Sequence, residues 1–241
     1  MYHHDYEIAS TQVNAARELK LPSLLQILQD VATDGAAYSG IGTDVTYSKG
    51  LLWVISRMEI DIVKMPAYEQ KITVYTYPGK TLVSFYPRHF VVYDENKNLL
   101  LRASSIWALI HKDTRKMEMH DQFPWMSFDQ MDGELPRPKR LAPLTDEPIL
   151  EERKIRYSDV DLNSHLNNTR YIEMVDDLCD GKEHASRTLK HVTLNYEREL
   201  HEGDVLVLRG HTGLTTEITG FCNEKPAFEA KMEYELWTPN R

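Results

Sequence analysis

The sequence predicts an α+β chain made of two fused units, each a helix followed by an antiparallel sheet. Three observations carry this. Near the N-terminus apolar residues recur at helical spacing, and from Leu51 the texture changes to strand alternation broken by turn residues. The same change recurs after Ile149. Finally, Met58–Met65 aligns without gaps on Val192–Glu199, and Gln70–Val74 falls on Asp204–Leu208. A repeat of this size implies a fused pseudo-dimer.

In order, residues 5–9 read as a short strand. A helix is expected from Pro22 to Tyr38, with Pro22 in the first turn, Leu24, Leu25, Leu28, Val31, Ala32 and Gly35 on one broad apolar face, and Gly40 at its end. Strands follow at Leu52–Ile62, Lys71–Tyr77, Thr81–Tyr93 and Leu99–His111, with Arg115–Met119 as a possible edge. Residues 120–149 carry Pro124, Pro136, Pro138, Pro143 and Pro148 with little periodicity, as a crossover linker would. The second unit reads as a strand at Ile149–Arg156 and a helix at Leu166–Cys179. Strands are then expected near Thr188–Glu199, Asp204–His211, Leu214–Cys222 and Ala227–Trp237. This gives an N-terminal unit over 1–120, a linker over 121–148 and a C-terminal unit over 149–241.

Composition narrows the class. Hydrophobic residues make up 41% and charged residues 27% of 241 residues, the balance of a globular protein. No apolar run approaches the ~20 residues of a membrane span. A net charge of −9 argues against nonspecific nucleic-acid binding. Two cysteines, Cys179 and Cys222, form no disulfide framework, and no secretory signal is read, so a cytoplasmic setting is expected.

The chemistry concentrates in Arg156–Tyr171 (RYSDVDLNSHLNNTRY). If extended, this stretch would send Asp159, Asp161, Asn163 and His165 to one side, just before a helix start. A carboxylate, an amide and an imidazole together suit proton transfer and oxyanion stabilisation. Two simpler readings compete. A calcium loop would need Gly and a late Glu where Ser164 and Arg170 stand. Helix capping by Asn163, Ser164 or Asn167, with Asp161 at the helix's positive end, explains one or two of these residues but not the set. Glu199 is expected on a strand with Thr193, Asn195 and Glu197 on its side, either as an exposed polar face or as a general base for water. The first unit shows no counterpart of the Asp-x-Asn-x-His stretch, and Met65 stands where the second has Glu199. Gly-x-Ser-x-Gly, a dinucleotide loop and zinc spacing are absent. Trp53, Trp107, Trp125 and Trp237 read as core or pocket lining.

Four blocks give the chain a family likeness: Gly50–Met58 (GLLWVISRM), Arg102–Trp107 (RASSIW) followed by Thr114-Arg115, Arg156–Tyr171, and Leu194–Glu199 (LNYERE). In these the chain resembles the acyl-ACP thioesterases of plastids and bacteria. The resemblance implies a double hot-dog fold and hydrolysis of fatty acyl thioesters on acyl carrier protein. It also implies an acyl tail bound mainly by the N-terminal unit and chemistry in the C-terminal one. The family's functional residues fall on Asp161, Asn163, His165 and Glu199. Plant members carry Cys directly after that Glu; here Leu200 excludes a cysteine nucleophile at this position.

On this reading Glu199 and His165 position and deprotonate a water, Asn163 orients the carbonyl or the imidazole, and Asp161 orients partners or attacks directly. Backbone N–H groups at the start of the 166–179 helix are expected to hold the oxyanion. No cofactor is expected, because the substrate brings its own phosphopantetheine arm. The expected partners are acyl carrier protein and a fatty acyl chain, with no nucleic acid and no membrane, and the chain is a monomer or a homodimer. Docking an acidic carrier needs local positive charge, for which Arg137, Lys139, Arg140, Arg153, Lys154 and Arg156 are candidates. An acyl-CoA thioesterase and a non-catalytic acyl-binding module are the alternatives.

Overall fold

The computed structural model describes residues 1–118 and 135–237. Two compact units divide at Pro138/Lys139, within the proline-rich stretch. Residues 121–134 of the expected linker lie outside the described residues, as do Met119 and Trp125.

In the first unit, β1 (Tyr2–Glu7) leads to α1 (Leu21–Tyr38) and the short α2 (Thr43–Ser48). Then come β2 (Leu51–Ile62), β3 (Lys71–Pro78), β4 (Phe85–Asp94) and β5 (Leu99–His111). The strands pair antiparallel in the order β1-β3-β4-β5-β2. α1 forms where the spacing predicts it. Leu24, Leu25, Leu28, Val31 and Ala32 are buried, Pro22 occupies the first turn, and Gly40 leaves the helix at φ +75°. Its small residues allow close approach: a Cβ on Gly35 would stand 2.8 Å from Thr76 Cγ2 and 2.9 Å from Arg88 Nη1. β4 starts four residues later than expected, because Leu82 and Phe85 close a tight turn with Val83 at φ +50°. The expected edge at 115–119 is reduced to one bridge, Ile110 with Met117.

The second unit repeats this order. β6 (Ile149–Lys154), α3 (Asn168–Asp176) and α4 (Gly181–Ser186) precede β7 (Arg187–Tyr196), β8 (Val205–His211), β9 (Thr215–Cys222) and β10 (Lys225–Leu236). The sheet order is β6-β8-β9-β10-β7, strand for strand that of the first unit. The expected 166–179 helix is shorter. Asp180 accepts the N–H groups of Lys182 and Glu183 and so starts a separate helix. Tyr171, Ile172, Met174 and Val175 form the buried face of α3.

Residues 139–144 form a strap on the second sheet. The Leu141 N–H donates to Asn195 Oδ1 at 2.7 Å, the Asn195 amide donates to the Lys139 carbonyl at 3.0 Å, and the Leu144 N–H donates to Thr219 Oγ1 at 2.9 Å. Asn195 and Thr193 are therefore buried rather than an exposed polar face. Glu229 lies opposite both Asn195 and Thr219 in the sheet register and is only 3% exposed.

Candidate active site

The 156–167 stretch is not extended. A 3-10 turn over Tyr157–Asp159 leads into a tight loop closed by a bridge between Val160 and Leu166. Alternation therefore does not apply, and the four polar residues part company. Asp159 is buried and its Oδ2 accepts the Arg156 N–H at 2.9 Å, which ties it into the loop. Asp161 Oδ1 accepts the N–H groups of Asn163 at 2.8 Å and His165 at 3.2 Å. Asn163 is exposed at the tip, and Ser164 takes a left-handed φ of +62° to complete the turn. Asn167 is the cap of α3, its Oδ1 accepting from the Thr169 N–H at 2.9 Å.

β7 ends at Tyr196, short of the expected strand end. The N–H groups of Glu197 and Arg198 both donate to the Ala227 carbonyl and turn the chain away from the ladder. Two contacts then fix residues 198–200 beside the loop. The Leu166 N–H donates to the Leu200 carbonyl at 2.7 Å, and the Tyr171 hydroxyl donates to the Arg198 carbonyl at 3.2 Å. Burial pushes the Tyr171 phenol up, which keeps it a donor. The Leu200 side chain is buried at 2% exposure. Glu199 is left partly exposed, with Oε1 3.6 Å from His165 Nδ1.

The structure thus brings two of the four expected residues together, with His165 Nδ1 3.6 Å from Glu199 Oε1. Asn163 sits on the same turn. Asp161 contributes through backbone contacts. Four of the expected oxyanion donors at the helix start are engaged elsewhere: Leu166 with Leu200, Asn167 with Asp159, Thr169 and Arg170 with Asn167. One neighbour was not anticipated. The His201 ring stands edge-on to that of His165, with centroids 5.0 Å apart. Its signal was position alone, two residues beyond Glu199.

The first unit does contain a counterpart of the loop, in its backbone. A 3-10 turn over Ser10–Gln12 is followed by a bridge between Val13 and Leu19. Asn14 Oδ1 accepts the N–H groups of Ala16 at 2.9 Å and Glu18 at 3.0 Å. Arg17 has φ +65°, and the Leu19 N–H donates to the Pro66 carbonyl at 2.7 Å. Asn14, Glu18, Met65 and Ala67 thereby match Asp161, His165, Glu199 and His201. The turn requires one side-chain oxygen and one left-handed residue and leaves the other identities free, which hid it from comparison by residue type.

In the first unit, Ala32 and Ala36 of α1 join Trp53, Tyr86 and Trp107 around an apolar pocket. Trp53 donates its indole N–H to the Ile41 carbonyl at 3.0 Å, and Trp107 donates to Ser105 Oγ at 2.8 Å. Trp237 is instead exposed.

Residues 1–123 match the profile of the acyl-ACP thioesterase N-terminal domain, and residues 143–229 match that of the C-terminal domain. The chain belongs to the acyl-ACP thioesterase family. An acyl-[acyl-carrier-protein] hydrolase of Cuphea viscosissima is 26% identical over 226 residues, spanning 86% of this chain and 54% of that protein. A palmitoyl-acyl carrier protein thioesterase of Arabidopsis thaliana is 27% identical, spanning 86% and 54%. The chain thus spans about half the length of the curated relatives it matches. The fold matches the crystal structure of an acyl-ACP thioesterase from Bacteroides thetaiotaomicron (TM-score 0.88, 23% identity, 97% of each chain). It also matches the 12:0-ACP thioesterase of Umbellularia californica (TM-score 0.85, 20% identity, 98% of this chain and 97% of that one). The family fold is the double hot-dog, and the two five-stranded units carry it here.

Proposed function

We propose that the protein hydrolyses fatty acyl thioesters on acyl carrier protein, releasing free fatty acid and the carrier's thiol. The observation that carries this is the His165–Glu199 pair, held by the Leu166–Leu200 and Tyr171–Arg198 hydrogen bonds. Membership of the family and the activities for which its relatives are named support the same reading.

A thioester is activated toward attack, so the protein's task is to supply a basic oxygen and stabilise negative charge. In the proposed reaction the carboxylate–imidazole pair takes a proton from water. The water oxygen bonds to the carbonyl carbon, and the carbonyl oxygen becomes an oxyanion. Collapse of the tetrahedral intermediate breaks the C–S bond, and the departing thiolate recovers the proton. Asn163 at the exposed tip of the turn is the side-chain donor for the oxyanion or the carbonyl. Water is the sole co-reactant and no cofactor takes part.

The apolar pocket of the first unit supplies binding energy for the tail, at ~0.8 kcal/mol per buried CH₂. Two of the candidate docking cations are committed to acids: Arg140 lies 3.9 Å from Glu197 and Arg153 3.2 Å from Asp177. Lys154 and Arg156 remain exposed directly before the catalytic loop and are the better carrier contacts. Among the described residues no helix is long and apolar enough to cross a membrane. We place the reaction in a reducing compartment, consistent with the unpaired Cys179 and Cys222.

The test is hydrolysis of matched acyl-ACP and acyl-CoA across chain lengths. Turnover of acyl-ACP that exceeds acyl-CoA, and is lost in Glu199→Gln, is the expected result. No thioester hydrolysis by the folded protein overturns the proposal.

A further inference from the structure

We infer that His201 is a positioning residue of the thioesterase site, a second imidazole that fixes the His165 ring and opposes its protonation. This rests on the proposed reaction for its purpose but on geometry for its existence. The fold forces the two residues together. The Leu166 N–H to Leu200 carbonyl bond ties the residue after His165 to the residue before His201. In the first unit the matching residues, Glu18 and Ala67, form a β-bridge, so these two positions face each other by construction. Only the second unit fills both with imidazoles.

His201 is itself anchored. Its backbone N–H donates to Asp204 Oδ2 at 2.8 Å, its Nδ1 lies 3.9 Å from the same oxygen, and the Asp204 N–H returns to the His201 carbonyl at 3.1 Å. Gly203, at φ +93°, makes this turn possible. The rings meet at 86°, edge to face. His165 is therefore held between a carboxylate and a ring: Glu199 at its Nδ1 and His201 against its side.

The consequence is electrostatic. Glu199 favours the imidazolium form of His165, which is the wrong form for a base. Two imidazoles 5.0 Å apart resist carrying two charges, so His201 opposes that pull and keeps His165 able to accept a proton in mildly acidic solution. Among the described residues, charged groups near the pair include Glu199 and Asp161 on the His165 side and Asp204 on the His201 side, with Glu202 next to His201 in sequence.

The experiment is an NMR titration of the imidazole C–H resonances in the whole 241-residue chain. His165→Gln and His201→Gln assign the two signals. In the wild type the two rings titrate as a coupled pair. In His201→Phe, which keeps a ring and removes its charge, the His165 midpoint moves up by about half a unit to one unit. In His201→Lys, which makes the charge permanent, it moves down. The acid limb of kcat/KM on acyl-ACP moves in the same direction in each variant, and His201→Phe loses less of the plateau rate than His201→Gln. Independent titration of the two rings in the wild type overturns the inference. So does a His165 midpoint unmoved in both variants. Absence of turnover in the wild type would instead defeat the proposed reaction and leave the NMR result standing.

Discussion

Asn14 and Asp161 make the same pair of hydrogen bonds in the two units, each through one side-chain oxygen accepting the N–H groups two and four residues ahead. A neutral amide therefore suffices for this turn. Asp161→Asn is expected to keep the fold and most of the activity, while Asp161→Ala loses both bonds and about 1–2 kcal/mol. Thermal melts and kcat/KM of the two variants check this. Labelled oxygen from water appearing in the Asp161 carboxyl after a single turnover would show that the residue attacks the substrate instead.

In the proposed reaction the His165–Glu199 pair acts as a unit. Glu199→Gln and His165→Gln are each expected to lower kcat by roughly 10²–10⁴, with the double variant little worse than the poorer single one. Additive losses in steady-state kinetics would point to two separate roles.

Leu200→Cys places a thiol where plant relatives have one. The Leu200 side chain is buried at 2% exposure, so no thiol-dependent activity should appear and alkylating reagents should leave turnover unchanged. The smaller side chain costs about 1–3 kcal/mol of stability. Thiol-sensitive hydrolysis would contradict the placement of this residue.

Glu229 has a side-chain oxygen, Oε2, without a hydrogen-bond partner, and burial, reinforced by Glu197, raises its carboxyl to about 7 from a usual 4.5. The sign follows. The folded state holds the proton more tightly than the unfolded chain, so this group's stabilising contribution is full below about 4.5 and is lost as pH rises to about 7. Glu229→Gln is expected to flatten the stability profile across that window and to be the more stable form above it. Urea unfolding at several pH values measures this. An unchanged slope would mean that the carboxyl is hydrated in the native state.

Gly35→Ala forces a Cβ to within 3 Å of Thr76 and Arg88. A loss of about 1–3 kcal/mol is expected despite the better helix propensity of alanine. A melting temperature at or above that of the parent would show that α1 can shift.

Much of the fold was legible because periodicity and turn residues report local structure directly. α1, β2, β3 and β5 fall almost where spacing puts them, and the repeat anticipates the matched sheet orders. The site was less legible. Alternation put Asp159, Asp161, Asn163 and His165 on one extended face, but a loop stitched by its own side chains has no period. Glu199 was placed on a strand that stops three residues earlier, since the switch to the Ala227 carbonyl is a tertiary event. His201 and the first-unit copy of the turn were missed for one reason: both are defined by backbone partners that residue identity does not encode.

The strap over residues 139–144 bears on the order in which the chain matures. It is synthesised before every strand of the sheet it clasps, yet its two anchors, Asn195 and Thr219, emerge 54 and 75 residues after the groups they bind. Contacts that distant close late. Glu229, which lies opposite both anchors in the sheet register, is made after both of them, so the strap is not fully backed by sheet until β10 is in place.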